Sequence, residues 1–150
     1  MAPGLAIREL DAARPEDLAA WAACAAALWP EEGAATHAAE IAATAGPTRR
    51  GFIAEGAAGP LGFAELGLRS CANGCDSRPV PFLEGVWVAP AARRAGVGAA
   101  LIAHVEGLLR AGGFAEFASD VLIDNAGSQA AHAAWGFVEV ERVVCLRKDL

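Results

Sequence analysis

The 150-residue sequence has no tyrosine. Any chemistry that needs a phenol as proton donor must therefore use another group. Long apolar runs are missing too. No stretch of 18 or more apolar residues occurs, which excludes a membrane-spanning helix and removes a membrane from the expected partners. Bases are scarce beside acids, 12 against 18, for a formal net charge of −6. That balance argues against a basic face for nucleic acid, so no nucleic-acid partner is expected. The four cysteines, Cys24, Cys71, Cys75 and Cys145, form no CxxC pair, so no metal is expected. Residues 1–10 include Pro3, Arg8 and Glu9 and lack the apolar core of an export signal. Reduced thiols and a cytoplasmic location follow as expectations.

At this length the chain is expected to form one domain over residues 1–150, able to bury a core without disulfide or metal staples. The hydrophobic fraction of 55% overstates that core, because much of it is alanine. Residues 5–10 alternate weakly and predict a first strand. Pro15-Glu16-Asp17 opens a helix, with proline in the first turn and acids at the positive dipole end. Leu18, Trp21, Ala25, Leu28 and Trp29 follow at helical spacing until Pro30. A second helix is expected over 34–45. Residues 52–57 and 61–68 predict two strands joined by a short turn. A turn at Asn73-Gly74 precedes a third strand over 81–88. A long helix over 96–111 carries Val97, Leu101, Val105 and Leu108 on one face and ends at Gly112-Gly113. A strand over 114–119, a short helix over 128–134 and a terminal strand or strand pair over 138–147 complete the order. The expected class is α/β, a mixed central sheet of about six to seven strands flanked by about four helices.

The most specific motif is Arg93-Arg94-Ala95-Gly96-Val97-Gly98, placed after a predicted strand and opening a predicted helix. Glycines let successive backbone N–H groups converge on a ligand, and the helix N-terminus adds about half a positive charge. Such a loop suits a pyrophosphate, and the two arginines extend its cationic reach. No GK[ST] ending and no GxGxxG with a following ribose acid is present, so the two common nucleotide loops are excluded.

Arg-x-x-Gly-x-Gly between a strand and a long helix resembles the acetyl-CoA loop of the GNAT superfamily of N-acetyltransferases, and Ala134-Trp135-Gly136-Phe137 resembles its last helix-to-strand junction. Leu28-Trp29-Pro30, Asn73-Gly74-Cys75-Asp76-Ser77, Phe82-Leu83-Glu84-Gly85, Ala118-Ser119-Asp120 and Glu141-Arg142-Val143 narrow the resemblance to the aminoglycoside 6'-N-acetyltransferases. It implies transfer of an acetyl group from acetyl-CoA, as co-substrate, to the 6'-amine of a cationic aminoglycoside. Direct attack in a ternary complex, antibiotic resistance and a homodimer are implied with it. An apolar edge around Val143-Val144-Cys145-Leu146 suits such a pairing.

The resemblance also implies roles for single residues. Glu84, a charge inside an apolar strand, is placed beside the reacting amine, to hold it or take its proton through water. Asp120, at the C-terminal end of a strand, is expected in the catalytic group with Glu84, and it and Glu141 are expected to bind ammonium groups. Trp29, Glu31 and Glu32 are expected at the rim of the aminoglycoside site, in a stretch with no lysine or arginine between Arg14 and Arg49. Trp87 or Val88 is expected to offer a backbone N–H to the oxyanion. Asn125 is expected to contact CoA. His132 stands where many GNAT enzymes place a tyrosine, so it is the candidate acid for the CoA thiolate and a candidate contact of the CoA channel. His37 and His104 have no motif around them and are read as structural. An acceptor of another kind (a polyamine, another small amine or a protein terminus) is the alternative for an enzyme. A CoA-binding module without turnover is the alternative to an enzyme.

Overall fold

The computed structural model describes residues 4–150. The elements run β1 (Ala6–Glu9), α1 (Pro15–Leu28), α2 (Ala34–Thr44), β2 (Arg49–Gly56), β3 (Gly59–Arg69), β4 (Val80–Val88), α3 (Val97–Ala111), β5 (Ala118–Ser119) and α4 (Ala126–Ala134). A 3-10 turn at Pro90–Ala92 joins β4 to α3. The five strands form one sheet in the order β1-β2-β3-β4-β5. β1 to β4 are antiparallel neighbours, whereas β5 runs parallel to β4.

Strand alternation divides the core into two layers. Phe52 and Ala54 of β2, Ala64 and Leu66 of β3 and Leu83 of β4 pack beneath Val97, Leu101, Ile102, Val105 and Leu109 of α3. Ile53 and Phe63 face the other way, onto Trp21, Cys24 and Ala25 of α1 and Ile41 of α2. Gly62 lets α3 come close, since a Cβ there would run into Val97 and Leu101. Pro15, Glu16 and Asp17 do open α1 as expected. The Asp17 carboxylate accepts the backbone N–H of Asp11 and Arg8 Nη1, each at 2.9 Å, tying the helix start to β1. His104 packs edge-on against Phe52.

Two expectations about the sheet need correcting. The strand predicted over 114–119 shrinks to Ala118–Ser119, because β5 finds a partner only along Phe82 and Leu83. The terminal strand or strand pair predicted over 138–147 does not form. Residues 135–150 have no regular secondary structure, and Val138, Val140, Val143, Val144 and Leu146 are exposed. Their alternation suits a strand, but a strand's N–H and C=O groups need a second edge, and none among the described residues pairs with them. The sheet therefore has five strands rather than six to seven.

All four cysteines are free thiols. Burial in α1 pushes the Cys24 thiol up to about 11, so it holds almost no thiolate near neutrality. Cys71 and Cys145 are exposed. Limited alkylation of the native protein with iodoacetamide at about pH 8 should label Cys71 and Cys145 first and reach Cys24 only after unfolding. Early labelling of Cys24 would contradict this packing.

Candidate active site

The site is built on an irregularity in β4. Glu65 of β3 pairs with Gly85, and the next residue, Leu66, pairs with Leu83. Glu84 is thus the extra residue of a β-bulge and has no partner across the ladder. A bulge turns a side chain out of strict alternation, and that happens here. Both neighbours of the turned segment are glycines that keep it open. A Cβ on Gly67 would collide with the Glu84 carboxylate, and one on Gly85 would collide with Leu28 and Trp29.

Glu84 borders an open cavity of about 780 Å³ between the sheet and the loop joining α1 to α2. Trp29, Glu31, Glu32, His37, Glu40, Arg49, Glu65 and Glu84 are among its lining residues. The one guanidinium in that wall is already engaged: Arg49 Nε donates to Glu65 Oε1 at 2.9 Å, while Trp21 Nε1 donates to Oε2 at 2.9 Å. Glu65 is buried beneath the cavity, and these bonds keep its charge from being orphaned. The remaining wall is strongly acidic and favours a cation.

Arg69, at the end of β3, closes one side of the site. Its Nε and Nη2 donate to Glu84 Oε1 and Oε2 at 2.9 and 2.7 Å. The guanidinium also lies 3.5 Å from the centre of the Phe82 ring. The hydrogen bonds that Arg69 donates to Glu84 raise its pKa above the ordinary value, with a smaller contribution from the charge of Asp120. Asp120, exposed just beyond β5, thus belongs to the same charged group as Glu84 and Arg69. Glu141 does not. It lies in the unpaired tail, its Cβ beside the Gly74 turn, and is not part of the cavity wall.

A gap opens on the other edge of β4. β5 pairs with β4 only at Phe82 and Leu83, whereas β4 continues to Val88. The segment containing Trp87 and Val88 therefore has a backbone edge unpaired by β5. Trp87 packs against the α1–α2 layer and Val88 against the α3 layer.

The predicted anion loop lies where β4 ends. Arg94 and Gly96 take left-handed conformations at φ 62° and 83°, and α3 begins directly after Gly96 with no side-chain cap on its first turn. Uncapped N–H groups at the start of a 15-residue helix form an anion cradle. Arg93 and Arg94 are exposed beside it, and Arg93 Nε donates to the Val88 carbonyl at 3.2 Å. Gly98 lacks a side chain because the Trp135 ring fills that space.

His132 of α4 is buried between Trp135 and Phe137. Its Nδ1 lies 2.8 Å from the Ser128 carbonyl oxygen, so Nδ1 carries the proton. Its Nε2 lies 2.9 Å from Ser119 Oγ on β5. Asn125 caps α4, its Oδ1 accepting the Ser128 N–H at 3.0 Å. Sequence reasoning missed Arg69 and Ser119 as members of the site. Arg69 gives no local signal, since its partner is 15 residues further on. Ser119 was visible only as the neighbour of Asp120.

Gly98→Ala should overpack the contact with Trp135 and cost about 1–3 kcal/mol, read as a lower denaturant midpoint with an unchanged slope. An unchanged midpoint would contradict the position of that ring.

Residues 11–137 match the model of the Acetyltransferase (GNAT) family. The aminoglycoside N(6')-acetyltransferase type 1 of Serratia marcescens is 46% identical over 138 residues, 90% of this chain and 94% of that protein. The crystal structure of aminoglycoside antibiotic 6'-N-acetyltransferase AAC(6')-Ih from Acinetobacter baumannii superposes with a TM-score of 0.87 at 33% identity, covering 98% of this chain and 99% of that one. AAC(6')-Iy in complex with the bisubstrate analog CoA-S-monomethyl-acetylneamine gives a TM-score of 0.85 at 37% identity, covering 97% and 99%. The chain belongs to the GNAT family of acetyltransferases.

Proposed function

We propose that the chain transfers the acetyl group of acetyl-CoA to the 6'-amine of an aminoglycoside, and that this confers resistance to the antibiotic. The observation that carries this reading is the bulged Glu84, aimed into an acidic cavity close to where β4 parts from β5. The names of the relatives and the bisubstrate complex of a structural neighbour support it.

Acetyl-CoA fits the anion loop, with its pyrophosphate on the N–H groups around Gly96–Gly98, Arg93 and Arg94 at its rim, and its pantetheine along the open edge of β4. Asn125 borders the same channel from the start of α4. The aminoglycoside enters from the opposite face as a polycation, drawn by Glu31 and Glu32 beside Trp29 and held by Glu84 and Asp120. Carboxylates favour the ammonium form, yet only the neutral amine attacks. Glu84 resolves that conflict by taking the proton, directly or through one water. The amine then adds to the thioester carbonyl, forming the C–N bond. The backbone N–H of Val88 stabilises the oxyanion, because the Trp87 N–H is turned into the ladder with β3, as is the Ala89 N–H that donates to the Leu61 carbonyl. Collapse breaks the C–S bond. The leaving thiolate takes the hydroxyl proton of Ser119, which is replaced from solvent by way of His132 Nε2, 2.9 Å from Ser119 Oγ, while the proton taken by Glu84 returns to solvent. No covalent enzyme intermediate is needed.

Before substrate arrives, Arg69 neutralises Glu84. The incoming ammonium competes with that guanidinium, and Arg69 can withdraw towards Asp120.

Acetyl-CoA consumption with kanamycin tests the assignment. Glu84→Gln should lower kcat by about 10²-fold or more, whereas Asp120→Asn should act mainly on the KM for kanamycin. Glu84→Gln within twofold of the parent enzyme would overturn the role given to Glu84.

We further propose a homodimer in which residues 138–147 lie along the sheet edge of a second copy. A row of exposed valines and a leucine supports this, as does the open edge of β5. Light scattering should return about twice the 15.3 kDa chain mass, and removing residues after Phe137 should return a monomer. A monomeric full-length chain would overturn it.

A further inference from the structure

We propose that Glu32, His37 and Glu40 form a second ammonium subsite, holding an amine of the aminoglycoside other than the one that reacts. The inference rests on the reading of the cavity as an aminoglycoside site. It assigns a task to a histidine that the sequence marks only as structural.

His37 lies in the first turn of α2 and is 4% exposed. Its Nε2 is 3.1 Å from the Trp29 carbonyl oxygen. A carbonyl only accepts, so Nε2 bears a proton, and in the neutral tautomer Nδ1 is then the acceptor. Nδ1 is buried without a hydrogen-bond partner, one of two such side-chain atoms among the described residues. Buried polar atoms are nearly always paired, so this one needs an explanation. Glu32 and Glu40 supply it. One oxygen of each and a ring nitrogen of His37 lie within 4.8 Å of one another. His37 and Glu40 are three residues apart and share a face of α2. All three residues line the acidic cavity.

The cluster offers three acceptors and no donor. Two of them are carboxylates, and the third is on a ring whose orientation is fixed by the bond to Trp29. A primary ammonium has three N–H donors and one positive charge, and it matches that set. Water would leave the paired negative charges uncompensated. Glu84 lines the same cavity, its carboxylate paired with Arg69 outside that wall, so a polycation can meet Glu84 and the cluster at once.

Two substitutions separate a ligand role from a structural one. His37→Gln keeps a donor for the Trp29 carbonyl and deletes the acceptor at Nδ1. His37→Asn does the reverse. Each is measured with kanamycin and with kanamycin analogues that each lack one amine other than the 6'-amine, alongside Glu40→Gln. His37→Gln and Glu40→Gln should raise the KM for kanamycin at least about tenfold, with kcat and the KM for acetyl-CoA within twofold. His37→Asn should recover most of that loss. One analogue should lose about as much on the parent enzyme and nothing more on His37→Gln, as coupled partners do.

The opposite order, with Asn worse than Gln, would show that His37 only anchors the loop and would overturn the proposal. So would equal losses for every analogue on both proteins. Titration with Zn²⁺ alone is the control for a metal ion. Micromolar binding that His37→Gln abolishes, with the kanamycin KM unmoved, would make the cluster a metal site and overturn the ammonium assignment. If the parent enzyme fails to acetylate kanamycin, the aminoglycoside reading falls and takes this inference with it. If the parent acetylates it and His37→Gln behaves identically, this inference alone falls.

Discussion

The chemistry of the molecule depends on a break in strand pairing at Leu83–Gly85. On one edge of β4 the ladder with β5 stops at Leu83. On the other edge, Glu84 is squeezed out of the ladder with β3. A regular strand would have kept both edges paired and sent Glu84 and Gly85 to opposite faces. The break instead yields an unpaired backbone edge for a cofactor and a carboxylate turned into a cavity, within three residues of each other. Glycines 67 and 85 protect the arrangement, because a side chain at either would refill the space.

Charge is separated along the same strand. The acidic wall of the cavity lies towards the loop between α1 and α2, and the arginines of the anion loop lie past the C-terminal end of β4. In the proposed reaction this separation brings the anionic cofactor and the cationic acceptor from different sides to the bulge. The pair Glu65–Arg49 beneath the cavity matters for the same reason. A buried carboxylate with two donors, Arg49 and Trp21, keeps the floor charged yet satisfied. Removing one partner of such a pair typically costs about 3–5 kcal/mol, so the floor cannot be simplified cheaply.

Much of this was legible in the residues. The anion loop could be read because glycine spacing, arginines and helix periodicity all point one way. Glu84 could be singled out because a charge inside an apolar run is expensive to leave unexplained. Its bulge could not, since the register of two strands is a pairwise property and the run from Val80 to Val88 reads the same with or without it. Arg69 was hidden for the same reason. Residues 138–147 show the limit of periodicity from the other side: the alternation is real, but the chain offers no edge to complete it. His132 could be singled out only through the resemblance, as the residue at the position of a tyrosine. That Ser119 lies against its Nε2 is a contact across the fold, which spacing alone does not reveal.

The central claim is that one amine of a polycation is directed to the gap in β4 and no other group is equivalent to it. Initial rates of CoA release with kanamycin, and with a counterpart carrying a 6'-hydroxyl in place of the 6'-amine, test that claim most directly. The account predicts a rate at least about a hundredfold lower for the hydroxyl compound at equal concentration. Equal rates on the two compounds would contradict it.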